Sequence, residues 1–184
     1  MIQQFAAATG ASRPRVRAFT FPEVLVVVCL LGIASAIVLP QISQQDDLNT
    51  AAAARVVMGD LLYAQNRAIA MQTVQYVSFD VPGQQYTLAS SMSPLTALQH
   101  PVNDTNYVMT FGQTGPNDIS QSVTLTSASF DGSATIAFDE TGVPYSYSAG
   151  AATPLSSTGS IVLSCGNYTL TIFVSPNTGE ISVN

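Results

Sequence analysis

A single carboxylate stands inside an otherwise uncharged, apolar stretch of this chain. Residues 19–39 read FTFPEVLVVVCLLGIASAIVL, and Glu23 is their one charged side chain. A carboxylate at the centre of a bilayer costs about 2.5–3.5 kcal/mol, and less near the end of a span. The place of Glu23 at the head of the stretch therefore calls for a chemical reason, and pairing with a positive group would supply one.

The other residues that could support catalysis or metal binding are few and scattered. The one histidine, His100, falls in a predicted loop, where we expect it to be solvated. Asp104 and Asp118 lie in Asn/Asp-rich loops that could offer oxygens to Ca²⁺ but lack the spacing of a dedicated calcium motif. Asp139 and Glu140 form a carboxylate pair that we expect to cap the turn after it, with acid–base catalysis as the alternative. We expect no enzyme, no metal and no cofactor.

The apolar stretch is long enough to cross a membrane. Its 21 residues would span about 31 Å as a helix, which is the thickness of one hydrocarbon core. A secretory signal peptide is the competing reading, because Ala34-Ser35-Ala36 imitates a cleavage site, but the apolar run continues through Leu39. Arg13, Arg15 and Arg17 precede the span, so we expect a cytoplasmic N-terminus and a periplasmic body.

The order of residues here resembles the class III signal of type IV pilins and type II secretion pseudopilins. A basic leader ending in Ala18 is followed by Phe19, and counting from Phe19 places Glu23 fifth and Pro40 twenty-second. In that family a prepilin peptidase cuts before the Phe and the new amine is methylated. Two positions depart from the pattern, since Ala18 replaces the usual Gly and Pro22 replaces the usual aliphatic residue. Proline is tolerated in a first helical turn.

The resemblance implies a role for each of these positions. Cleavage between Ala18 and Phe19 would create a positive amine, and Glu23 would meet the amine of a neighbouring subunit during filament assembly. The alternative is that Glu23 pairs only with water or with its own terminus. Gly32 and Pro40 are weak points of a helix, so the same family leads us to expect loosening between them in a filament, or else a mild kink at Pro40 alone.

A helical stripe follows the apolar stretch. Apolar residues recur at spacings of 3 and 4, which predicts that a helix continues or resumes to about residue 72 and packs this stripe against a head; the residues are Ala54, Val57, Leu61, Ala64, Ala68 and Met71. Asp60, Gln65 and Arg67 fall off the stripe. A helix lying free on a membrane surface is disfavoured, because the segment is poor in Lys and Arg.

The period of the apolar residues changes to two beyond residue 73, which predicts an antiparallel head. The predicted strands are Val74–Asp80, Gln85–Ser90, Tyr107–Phe111, Ser122–Ser127, Ala134–Phe138, Ser160–Cys165, Tyr168–Val174 and Glu180–Val183, and residues 91–106 and 112–121 are predicted as loops. The segments FDETGVP and SPNTGEI resemble turns of the FimT/GspH pseudopilin family, with Glu180 where Arg is common. Cys29 and Cys165 would lie on different sides of the membrane interface, so we expect no disulfide between them.

The expected fold class is α+β, with a long N-terminal helix packed on an antiparallel β-sheet head, the pilin-like fold. The expected parts are a cleaved leader (1–18), a transmembrane and assembly helix (19–39), its periplasmic continuation (40–72) and the head (73–184). The function expected from the resemblance is a minor pseudopilin or pilin subunit, anchored by a single pass in the bacterial inner membrane. Its partners would be other such subunits, the prepilin peptidase, the inner-membrane assembly platform and the lipid bilayer.

Binding of DNA for uptake is the alternative function. The chain has no lysine, and beyond residue 18 two arginines face eleven Asp and Glu, a formal charge of 2 − 11 = −9. Such a body repels phosphates, so we expect no nucleic-acid partner.

Overall fold

Helix α1 spans Phe21–Met71, and the strands follow it in the chain. The computed structural model describes residues 19–115 and 117–184, with side-chain surroundings for all of these except residues 36–44. The chain forms two units by its internal contacts, Met1–Pro40 and Gln41–Asn184. The first unit contains the beginning of α1, and the second contains the remainder of α1 and the strands.

The predicted stripe of α1 is the part of the helix that enters the core. Five of its six members are at most 2% exposed, namely Ala54, Val57, Leu61, Ala64 and Ala68. The prediction is wrong for Met71, which is 57% exposed. The reason is that α1 ends at this residue, and Gln72 takes a positive φ of 52° that turns the chain away. Small alanines in the stripe allow the strands to approach the helix axis closely.

The strands cover most of the chain after α1. In the described part of the chain they are β1 (Gln75–Asp80), β2 (Gln85–Met92), β3 (Leu95–Ala97), β4 (Val108–Thr110), β5 (Thr124–Ser129), β6 (Thr135–Phe138), β7 (Pro144–Ser148), β8 (Ala151–Pro154), β9 (Gly159–Cys165), β10 (Tyr168–Val174) and β11 (Ile181–Val183). Each of the eight predicted strands coincides with one of these, with ends displaced by at most two residues.

Three strands were not predicted, and each has a physical reason. Strand β3 lies in the predicted loop 91–106, directly after Pro94 in a Ser-rich sequence that lacks period-two alternation. Strands β7 and β8 read PYSYS and AATP, so they carry no β-branched aliphatic residue. The prediction that residues 91–106 form only a surface loop is therefore wrong.

The strands form two antiparallel sheets. The larger has the order β3-β2-β1-β6-β7-β8, with β4 also paired to β2, and the smaller has the order β11-β10-β9-β5. Strand β1 is central to the larger sheet, pairing Val77 with Leu88 of β2 and with Ile136 of β6. The inward residues of both sheets and the buried stripe of α1 belong to one hydrophobic core. The head is thus organised around the second part of the helix.

Two turns of the head press against α1 at Gln65. The Gln65 side-chain amide donates to the carbonyl oxygen of Gly142 at 2.8 Å and to that of Gly179 at 3.4 Å. Both glycines have positive φ, of 85° and 65°. A Cβ at Gly142 would lie 2.9 Å from Ile69, and a Cβ at Gly179 would lie 2.4 Å from the Gln65 amide nitrogen. The Thr-Gly pairs of the two family-like motifs therefore serve one contact, which requires glycine for space and for backbone conformation.

A half-buried carboxylate makes a second contact between α1 and the head. Asp60 accepts hydrogen bonds from the hydroxyls of Tyr86 at 2.5 Å and Tyr107 at 2.8 Å. The ring of His100, predicted to be solvated, packs on Tyr107 with centroids 4.5 Å apart and is partly buried. Desolvation raises the pKa of Asp60, against the opposing effects of the two tyrosine hydrogen bonds and of His100. Burial also raises the pKa of both tyrosines, which remain donors at neutral pH.

Replacing Gln65 by Leu should destabilise the head. The change leaves the carbonyl of Gly142 without its side-chain donor, so we expect the free energy of unfolding to fall by about 1–2 kcal/mol. Urea denaturation of the detergent-solubilised full chain, followed by far-UV circular dichroism, measures this. The matched control is Asn66→Leu, because Asn66 is the next amide on α1 and is exposed; a shift below about 0.5 kcal/mol is expected there. Equal losses in both variants would contradict the role given to Gln65.

Asp60 should make stability depend on pH with a defined sign. Its pKa is raised in the folded protein, so the folded state keeps this proton to higher pH than the unfolded state. The stability contributed by protonated Asp60 is present below the unfolded pKa of about 4 and is lost as pH rises through the folded value. We therefore expect the Asp60→Asn variant to become more stable relative to the unsubstituted chain as the pH rises from 4 to 7, measured as the difference between their free energies of unfolding.

The same urea titrations at several pH values test the prediction for Asp60. Asp47→Asn is the control, because it removes one negative charge at an exposed position of the same helix. A constant difference between Asp60→Asn and the unsubstituted chain across this pH range would contradict the prediction.

Candidate functional site

Glu23 lies in the first turn of α1 and contacts the residue that precedes the helix. Its carboxylate Oε2 accepts a hydrogen bond from the backbone N–H of Thr20 at 3.4 Å, and its own N–H donates to the Thr20 carbonyl at 3.0 Å. A Glu three residues after a Thr at a helix start is the capping-box pattern, in which the acid satisfies a backbone donor. The Thr-x-x-Glu spacing is the signal in the sequence that predicts this contact. A negative charge in the first turn also interacts favourably with the helix dipole.

Phe19 precedes the helix and is 75% exposed. Its predicted cleavage partner Ala18 lies outside the described residues. Phe19 directly precedes Thr20, whose backbone N–H donates to the Glu23 carboxylate. A terminal amine created at Phe19 would therefore belong to the residue directly before the one that the carboxylate binds. The same carboxylate retains free lone pairs for a second donor.

The apolar side chains after Glu23 are uncovered within this unit. From Val24 to Ile33 the large aliphatic residues are between 45% and 64% exposed. A continuous apolar surface of this kind marks contact with lipid or with another protein. Among the residues whose side chains are described, no helical stretch is long and apolar enough to cross a membrane. Residues 36–39 of the predicted span are outside that description.

Gly32 and Pro40, the predicted weak points, both fall within the bounds of α1. A Cβ placed on Gly32 would meet nothing within 4 Å. The side chain of Pro40 is outside the description. Loosening of the helix between these positions concerns an assembled filament, and it stays a prediction.

The turn between β10 and β11 carries no positive charge. It contains Glu180, which is exposed. Of the described residues, Arg55 and Arg67 are the arginines, and both lie on α1 rather than on this turn. Arg67 is half-buried and lies 3.5 Å from the Tyr63 hydroxyl. This turn therefore offers no cation to a phosphate backbone.

Two aspartates brace turns of the head. The Asp139 Oδ1 accepts from the N–H and hydroxyl of Thr141 at 2.9 and 2.7 Å and from the N–H of Val143 at 2.9 Å, which confirms the predicted turn cap. Partial desolvation raises the pKa of Asp139, but these hydrogen bonds outweigh it and the pKa is lowered. Asp131 accepts from Ser156 and Ser157, and the backbone bond from Ser156 is the largest cause that lowers its pKa to about 2. These carboxylates act as hydrogen-bond acceptors for backbone donors.

The loops that contain Asp104 and Asp118 meet through neighbouring amides. Asn103 donates to the side-chain oxygen of Asn117 at 2.5 Å, and Asn117 donates to Thr105 at 3.3 Å. Within residues 19–115 and 117–184, no three His, Cys, Asp or Glu side chains are grouped so as to hold a metal ion. Cys165 is buried and its thiol contacts Asp46 at 3.3 Å, while Cys29 is exposed.

Comparison with known proteins finds a similar fold in a minor pseudopilin. The chain is similar to the minor pseudopilin EpsH from the Type 2 Secretion System of Vibrio cholerae, with 11% identity and a TM-score of 0.50 over 74% of this chain and 96% of that one. It is also similar to the type IV minor pilin FimU of Pseudomonas aeruginosa (strain PAO1), with 12% identity and a TM-score of 0.47 over 73% of this chain and 87% of that one.

No family model and no curated protein matches the sequence. At 11% identity, the likeness to EpsH concerns the fold. It agrees with the observed elements, a long N-terminal helix that packs its second part on antiparallel sheets. The predicted α+β class is confirmed, and the chain has the pilin-like fold of a minor pseudopilin.

Proposed function

We propose that this protein is a minor subunit of a type II secretion pseudopilus or a type IV pilus. The leader 1–18 is removed by a prepilin peptidase, and the new Phe19 amine is methylated. The mature chain sits in the inner membrane by a single pass and joins other subunits through its N-terminal helix. Its task is to support secretion or pilus assembly as a structural component.

The observation that carries this proposal is the setting of Glu23. Its carboxylate lies in the first helical turn and accepts the N–H of Thr20, which follows Phe19, the residue where cleavage would create an amine. Exposed apolar side chains follow Glu23 along the helix. In an apolar medium a carboxylate and an amine attract far more strongly than in water, and each is costly without the other. An axially offset neighbour would bring its own Phe19 amine to this carboxylate, so that charge neutralisation would favour one register of packing.

The outer side of the second part of α1 also supports assembly. Away from the buried stripe, the helix leaves Leu48, Val56 and Leu62 between 39% and 70% exposed. Gly59 lies among them, and a Cβ there would meet nothing within 4 Å of this chain. Apolar side chains beside a glycine permit close approach of another helix, which suits lateral packing in a filament.

Processing should leave Phe19 as the mature N-terminus. We expect intact-mass and N-terminal peptide mass spectrometry, after co-expression with a prepilin peptidase, to find a chain that begins at Phe19 with a methylated amine. Ala18→Gly should be cut at least as fast, because Gly is usual before this bond, and Ala18→Leu should remain uncut. A mature terminus elsewhere, or an uncut chain beside a peptidase that processes a control prepilin, would overturn the proposed processing.

Glu23→Ala should impair assembly while leaving insertion intact. The variant removes the partner of a neighbour's amine, so we expect membrane levels to be kept and the fraction in sheared filaments to fall about tenfold or more. Immunoblotting of the two fractions measures this. Glu180→Ala is the control, because it removes a carboxylate from an exposed turn of the head. Normal incorporation of Glu23→Ala would contradict the assembly role.

A further inference from the structure

An aromatic cluster lies on the face of the larger sheet that points away from the core. Tyr76 of β1 and Tyr145 of β7 are each paired directly across from Ala137 of β6, so the three side chains share one face. The adjacent residues Val77 and Ile136 point the other way and are fully buried in the core. The two tyrosines are half-buried, and they enclose Ala137 between them so that it is not exposed.

A cavity of about 230 Å³ opens beside these rings. It is lined by Val74, Ala137, Asp139, Glu140, Tyr145 and Ala152. On the same face of the sheet, Tyr76 and Tyr147 pack edge to face with a centroid separation of 5.1 Å and an interplanar angle of 73°. The cavity therefore combines one tyrosine and aliphatic side chains with two carboxylates, and it has the size of one large side chain.

The carboxylate end of this cavity is negatively charged at neutral pH. Hydrogen bonds from the N–H groups of Thr141 and Val143 to Oδ1 of Asp139 keep the pKa of this carboxyl low, so Asp139 is ionised. Glu140 is exposed, and its backbone carbonyl accepts from Gln72 at 3.3 Å, which ties the turn to the end of α1. Aromatic faces next to carboxylates attract a cation through both the ring quadrupole and the net charge.

The described residues of the chain supply no cation to this cavity. Arg55 and Arg67 lie on α1, neither lines the cavity, and the sequence contains no lysine. We propose that the cavity binds the guanidinium of an arginine side chain presented by a different protein. The planar guanidinium stacks on a tyrosine ring while its N–H groups reach the carboxylates. A second copy of this chain is a poor source, because outside residues 1–18 its charge is 2 − 11 = −9.

Alanine-methyl NMR of the full chain in detergent micelles can test this directly. The probe is the capped tripeptide Gly-Arg-Gly, and the matched neutral probe carries citrulline in place of arginine. We expect the arginine peptide to shift the methyl signals of Ala137 and Ala152 saturably, and to leave that of Ala64, which is buried in the helix stripe, unmoved. The citrulline peptide should produce no saturable shift. Raised salt should weaken the arginine response.

Variants separate the aromatic and the charged contributions. Tyr145→Leu should weaken binding about fivefold, whereas Tyr145→Phe should keep it. Glu140→Gln should weaken binding about two- to threefold, and Glu180→Gln, an equal charge change elsewhere, should leave it unaltered. If Tyr145→Leu fails to fold, the Tyr145→Phe and Glu140→Gln variants and the citrulline peptide still decide the question.

Several outcomes would overturn this proposal. Equal shifts with arginine and citrulline peptides would do so, as would binding that is indifferent to Glu140→Gln. Saturable shifts with a neutral disaccharide of comparable strength would instead identify a sugar-binding face. The proposal is independent of the assembly role of Glu23, since the tripeptide assay requires no filament.

Discussion

The close approach of the head to α1 is the constraint on which the rest of this fold depends. Alanines in the buried stripe bring the strands near the helix axis, and Gln65 then meets two separate turns through its side-chain amide. The glycines of those turns are required because a Cβ would collide with the helix. Two turns that lie 77 and 114 residues further along the chain are therefore fixed against the helix by the amide of one side chain.

The acidic residues of the head are largely used by the head itself. Asp60 is held by two tyrosine hydroxyls, and Asp131 and Asp139 accept backbone donors of turns. Their charge is therefore part of the folding energetics before it is part of any surface property. Glu23 differs in its position, because the backbone amide that it binds lies at the open end of the helix. Such a carboxylate can accept another donor without disturbing a folded core.

Much of this architecture could be predicted from the sequence, for identifiable reasons. The stripe from Ala54 to Ala68 and the eight predicted strands carry strong periodicity, and burial of one face enforces it. Met71 was misplaced because periodicity does not report where a helix stops. Strands β7 and β8 were missed because their stability comes from pairing with neighbours rather than from their own composition.

The contacts around the candidate sites were harder to foresee. The Thr20–Glu23 cap is a short-range pattern and could have been read directly from the sequence. The approach of Asp60 to Tyr86 and Tyr107, and of Gln65 to Gly142 and Gly179, depends on long-range chain crossings. In the sequence, Asp60 and Gln65 are polar residues off the apolar stripe of a helix. Such residues are usually solvated, and the local sequence does not indicate which distant segment packs over them.

The two turns that Gln65 binds differ from other turns of the head in how well they can accept inserted residues. An insertion beside Gly142 or Gly179 would push backbone against the side chains of Ile69 and Gln65, which would lie only 2.9 and 2.4 Å from an added Cβ. The turns at Gly132 and Gly150 face open space, where a Cβ would meet nothing within 4 Å. Loop closure grows costlier only slowly with length, so these open turns are where an epitope tag or an inserted recognition loop can be accommodated.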